Sequence, residues 1–123
     1  MSKLSHVFVI AAILSAGMAG EAFAHAHLKS ATPAENAVVT PSFAELDLTF
    51  SEGLDIKFSG ATITQEDKSA VATDKARLAA GDNKTLMIPV PAPLQAGAYT
   101  VDWHVLSIDG HKTKGSYMFT VKP

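Results

Sequence analysis

Tyr99, Val101, Trp103 and Val105 alternate with Thr100, Asp102 and His104. A period of two over that length fits a strand with one buried face and rules out an amphipathic helix, whose apolar residues recur every three or four. The same alternation runs through Ala44, Leu46, Leu48 and Phe50, set against Glu45, Asp47 and Thr49. It returns in Leu86, Ile88 and Val90, and in Tyr117, Phe119 and Val121. Pro89 and Pro91 predict that the third of these sets lies at a sheet edge or ends early. Ser51-Glu52-Gly53 breaks the second set, Ile56 and Phe58 resume it, Gly60 interrupts, and Ala61 and Ile63 continue. A weaker strand is expected from His27 to Ala31, before Pro33. Residues 65–83 are polar and poorly periodic, which predicts loops around a short strand near 70–73 and a helical turn at 75–80. Short strands with turns every ten or so residues predict an all-β chain, an immunoglobulin-like Greek-key β-sandwich or barrel of about seven strands. Trp103 is its expected central core residue.

The start of the chain is of another kind. Lys3 is followed by an apolar run from Val7 to Met18, broken only by Ser15 and Gly17, and then by Ala22-Phe23-Ala24. A positive start, an apolar middle and small residues at the end predict a secretory signal peptide over residues 1–24. The run is too short for a membrane span, which takes about 20 residues. Removal after Ala24 leaves 25–123 as one domain. The formal charge of −2 gives no reason to expect nucleic-acid binding, and no basic amphipathic segment suggests a membrane surface. The chain has no cysteine, which excludes a disulfide framework and thiolate metal sites. A metal here has to be held by imidazole, amine, carboxylate or thioether.

Cleavage after Ala24 makes His25 the first residue and frees its α-amine. The amine and the ring Nδ1 of one residue then close a chelate on a single ion, and nitrogen-rich tetragonal coordination suits Cu(II), which heads the divalent affinity series. Asp109 and His111, two apart in an extended segment, project to one side and offer an oxygen and a third nitrogen. The bland reading of Asp109-Gly110 is a hairpin turn. A second chelate competes: a free amine with histidine at the third position, His27, binds Cu(II) through deprotonated backbone amides without any fold. Glu52 is a strand-end carboxylate, and as a functional group would accept a hydrogen bond from a metal-bound group. His104 reads as a surface histidine. Met87 and Met118 are isolated and read as core, so a Cu(II) site is expected and a dedicated Cu(I) site is not.

Three segments carry a family resemblance: His-Ala-His-Leu-Lys-Ser-Ala-Thr-Pro-Ala from His25, Leu-Thr-Phe-Ser-Glu-Gly from Leu48, and the run from Gly97 through Trp103 to Asp109-Gly-His-Lys-Thr-Lys-Gly115. Together they resemble the CopC-type periplasmic copper-resistance proteins, especially the YobA-like branch, over essentially all of residues 25–123. The resemblance implies a periplasmic sandwich that binds one Cu(II) ion through His25, Asp109 and His111. It implies Glu52 as an outer-shell group, and some relatives are linked to inner-membrane copper transporters, which makes such a transporter the expected partner. His27 reads as an auxiliary, and the mature chain is expected to be soluble and monomeric. The methionine-rich Cu(I) loop of some members is missing from the stretch between Gln65 and Met87.

The expected function is copper buffering or carriage without catalysis. A histidine-brace copper monooxygenase is the enzymatic alternative, but it needs an open copper face and a broad substrate surface, for which this chain lacks the inserted loops. A purely structural sandwich explains the strands but not a cleavage point directly before His25.

Overall fold

The computed structural model describes residues 26–123. The expected signal segment 1–24 and His25 lie outside the described residues. Eight strands follow in chain order: β1 (Leu28–Thr32), β2 (Val38–Val39), β3 (Glu45–Phe50), β4 (Gly60–Gln65), β5 (Arg77–Ala79), β6 (Asp82–Pro89), β7 (Gly97–Leu106) and β8 (Lys112–Val121). They form two four-stranded sheets, ordered β1-β3-β6-β5 and β2-β8-β7-β4. All pairings are antiparallel except β2 with β8. The result is the all-β sandwich that the alternation predicts.

The alternating residues meet between the sheets. Leu46, Leu48 and Phe50 of β3 and Leu86 and Ile88 of β6 are buried against Ile63, Tyr99, Val101, Trp103, Val105, Tyr117, Phe119 and Val121. Trp103 packs edge-on to Phe50, with ring centroids 5.0 Å apart and planes at 69°. Directly opposite Trp103 on β8 stands Gly115. A Cβ at Gly115 would lie 2.7 Å from Trp103 Cε2. Gly115→Ala is therefore expected to displace the indole and destabilise the fold by about 1–3 kcal/mol, the usual cost of overpacking. Urea denaturation followed by the fluorescence of Trp103 checks this, and an unchanged midpoint would contradict it.

Several expectations need correction. Ile56–Phe58 is a 3₁₀ turn, not a strand, because the Asp55 carboxylate caps it by accepting the Lys57 amide at 3.0 Å. Residues 75–80 hold β5 rather than a helical turn. Pairing of Leu78 with Leu86 outweighs the helical preference of that alanine-rich stretch. The strand near 70–73 is reduced to an isolated bridge between Thr64 and Ala70. Of the two outcomes expected from Pro89 and Pro91, the early end is the one found: β6 is an interior strand and ends at Pro89, before Val90. Neither methionine read as core belongs to it: Met87 is only partly buried, between Leu86 and Ile88, and Met118 is half exposed, between Tyr117 and Phe119, each on the outward phase of its strand.

One carboxylate sits uneasily on the outer face of the first sheet. Asp47 lies between Thr32 of β1 and Met87 of β6, and its Oδ1 is buried without a hydrogen-bond partner among the described residues. Desolvation, with the Glu45 carboxylate beside it, raises its pKa to about 6, although Arg77 pulls the other way. A folded-state pKa above the unfolded value favours the fold at low pH, and that contribution is lost as pH rises through about 6. Asp47→Asn is expected to raise the melting temperature by a few degrees at neutral pH. It is also expected to flatten the stability change between about pH 4 and about pH 7. Melting curves of both proteins across that range are the measurement, and parallel pH profiles would count against it.

Candidate metal centre

The β7–β8 hairpin carries Asp109 and His111 at its tip. Its inward phase, Tyr99 to Val105, continues into Ser107, which is only 1% exposed. This buried hydroxyl organises the loop. It donates to Asp109 Oδ1, lies 3.1 Å from the His111 carbonyl and accepts the His111 amide at 3.3 Å. The Ser107 amide donates to the His111 carbonyl at 2.9 Å, and the Gly110 amide donates back to the Ser107 carbonyl at 2.9 Å. Gly110 has φ of +92°, a conformation that favours glycine. The hairpin reading of Asp109-Gly110 is thus correct, and the same turn also places the two side chains together.

Asp109 Oδ2 and His111 Nδ1 are 3.1 Å apart, and both side chains are about half exposed. The Ser107 hydroxyl first, and His111 second, hold the Asp109 carboxyl below its ordinary pKa, so it stays an anion in weak acid. Two neighbouring donors at right angles on one first-row metal ion, each about 2.0–2.2 Å away, stand about 3 Å apart. The observed separation has that bite. The donor set therefore fits a small divalent ion entering between them in place of the hydrogen bond.

A second loop is stitched to this tip. The Ile108 amide donates to the Gly53 carbonyl at 2.9 Å, and the Asp55 amide donates to the Leu106 carbonyl at 2.9 Å. Leu54 and Ser107 form an isolated bridge. Glu52 belongs to this loop and is partly buried. The first described residues arrive alongside. Ala26 is buried, and its carbonyl accepts from the Thr113 hydroxyl at 2.8 Å. Thr113 lies two residues beyond His111. The His27 amide donates to the Ser51 hydroxyl at 3.0 Å, and the His27 ring Nδ1 is 3.2 Å from the same oxygen.

The structure thus brings Asp109 and His111 together. His27 is engaged with Ser51, and Glu52 lies on the adjoining loop. His25 lies outside the described residues. Among the described residues, no group of three or more His, Cys, Asp or Glu side chains gathers around one point. Ser107 and Thr113 escaped the sequence reading, although Ser107 carries a usable signal: a serine in phase with a buried strand face, two residues before a candidate ligand.

A family model described as CopC domain matches residues 28–122. The chain belongs to the CopC family. Protein YobA of Escherichia coli K12 is 44% identical over 115 residues, covering 94% of this chain and 93% of the relative. Copper resistance protein C of Escherichia coli is 41% identical over 113 residues, covering 86% and 88%. Among solved structures, CopC from Methylosinus trichosporium OB3b superposes with a TM-score of 0.74 at 32% identity, covering 80% of this chain and 95% of that one.

Proposed function

We propose that this chain binds one Cu(II) ion and buffers or carries it in the periplasm, as a binding protein and not as an enzyme. The observation that carries the reading is the Asp109–His111 pair, with its 3.1 Å nitrogen–oxygen bite, on a loop tied to the start of the domain through Thr113 and Ala26. His25 is one peptide unit from Ala26. Once residues 1–24 are removed, its amine and ring would complete a set of three nitrogens and one oxygen, a donor set suited to Cu(II). The copper-resistance relatives support the same assignment. Glu52 fits as an outer group that orients what the ion binds.

The competing chelate at His25-Ala26-His27 needs the amides of residues 26 and 27 turned onto the ion. In the folded domain the His27 amide is committed to Ser51, and that favours the folded site. Among the described residues no helix is long and apolar enough to cross a membrane. A copper transporter of the inner membrane would be the natural recipient or donor. The test is titration of protein beginning at His25 with Cu(II) against a competing chelator, with electron paramagnetic resonance at one equivalent. One tight tetragonal nitrogen-rich centre is expected. Affinity no better than that of a surface histidine would refute the reading, and oxygen-dependent turnover of an added polysaccharide would make the chain an enzyme.

A further inference from the structure

Beside the metal loop, on the outer face of the second sheet, lies a concavity of about 610 Å³ lined by Lys57, Phe58, His104, Val105, Lys112, Thr113 and Lys114. Its construction is specific. His104 of β7 stands opposite Lys114 of β8 and beside Gly60 of β4. A Cβ at Gly60 would meet His104 Cε1 at 3.2 Å, so the glycine leaves room for the ring to lie along the sheet. The 3₁₀ turn at Ile56–Phe58 forms the side wall and presents Phe58, 57% exposed.

No carboxylate lines the concavity. Of those near it, Asp55 caps the Lys57 amide, and Asp102 lies two pairs further along β7, opposite Thr62, in an adjoining hollow that His104 and Lys114 also line. Among the described residues none of the three lysines is in an ion pair. A chain whose formal charge is −2 thus collects around one apolar hollow three cations that have no ion pair among the described residues, two of them on the strand that follows His111.

We infer that this groove docks an acidic segment of a partner protein and holds that partner at the copper loop. The inference rests on the proposed carrier function. Charge complementarity selects an anionic occupant and steers its approach. The shape selects a peptide over a bilayer: a flat membrane surface would touch only the rim, whereas an extended segment can set acidic side chains on the lysines and an apolar one against Phe58. Lys112 adjoins His111 in the chain, so a partner seated here is held next to the Asp109–His111 turn.

The probe is a short fluorescein-labelled peptide of alternating aspartate and leucine, titrated by anisotropy into protein beginning at His25. Binding that weakens toward about 0.3 M salt is expected, as for exposed charges. It should be lost when serine replaces the aspartates, and should fall at least about tenfold in the Lys57→Glu, Lys114→Glu double variant, as two ion pairs turn into repulsions. The amide resonances of Phe58, His104 and Thr113 should move on binding. Equal affinity for the double variant, or shifts on another face, would overturn the inference. So would lysine-dependent retention on phosphatidylglycerol vesicles in preference to the peptide, which would assign the groove to a membrane. A parallel Cu(II) titration separates the two readings. Peptide binding without Cu(II) binding removes the carrier function and leaves the groove, and Cu(II) binding without peptide binding removes the groove alone.

Discussion

Protein that keeps even one residue before His25 is expected to bind Cu(II) at least about a hundredfold more weakly than protein beginning at His25. Groups that only orient a ligand already cost about 10- to 100-fold when removed, so a lost direct donor costs more. The physics is a change in one nitrogen. At a free terminus it is an amine with a lone pair to give. Behind a peptide bond the lone pair is delocalised into the carbonyl, and the chelate with the His25 ring cannot close. The fold itself should not notice. The first described residues are fastened by Thr113 to Ala26 and by Ser51 to His27, and neither contact involves the terminal nitrogen. The extended protein is therefore expected to melt at the same temperature without copper, while losing the stabilisation that copper gives to a folded state that alone binds it. Proton competition supplies a second signature. An α-amine titrates near ~8, so the affinity of protein beginning at His25 should fall as pH drops from about 8 toward about 5. Titration of the two forms against a chelator, with parallel melting curves, checks both expectations. Equal affinities would remove the amine from the site.

The parts of this molecule that alternation alone could define were legible in the sequence. β3, most of β7 and the end of β8 from Tyr117 to Val121 bury every second residue, and no partner is needed to recognise them. The parts fixed by distant pairing were not. β2 is two residues long and exists only by lying parallel to Thr120 and Val121. β5 carries a helix-prone sequence that Met87 and Leu86 hold extended. The 3₁₀ turn at Ile56–Phe58 shows the apolar spacing of a strand, and the Asp55 cap that decides against one is a single side-chain contact. Met118 is a different lesson, because the phase of its own strand already points it outward. The site divides in the same way. Asp109 and His111 were visible as residue types at a productive spacing. Ser107, which sets their geometry, has no metal-ligating side chain to mark it in the sequence, and only its burial shows its part.

His111→Ala is expected to lower Cu(II) affinity at least about a hundredfold, for the same reason that a direct donor outweighs an outer one. This experiment also separates a folded site from a peptide chelate. His111 and Ala26 are far apart in sequence and are brought near each other only by the fold, where Thr113, two residues beyond His111, fastens the Ala26 carbonyl. A site made by His25-Ala26-His27 alone would keep its affinity and its resonance spectrum in the variant. The variant should stay folded, since the His111 ring is about half exposed and the turn is held by main-chain bonds between Ser107, Gly110 and His111. Two milder changes grade the effect. Asp109→Asn keeps the size of the side chain but removes the anion that Ser107 and His111 sustain. Ser107→Ala leaves both candidate ligands and removes only the hydroxyl that orders them. The expected order of loss is His111→Ala, then Asp109→Asn, then Ser107→Ala, the last within about 10- to 100-fold as for an orienting group. Electron paramagnetic resonance at one equivalent of Cu(II) should show fewer nitrogen donors for His111→Ala and an unchanged donor count for Ser107→Ala. If all three variants match the wild type in affinity and spectrum, the ion does not sit on this hairpin.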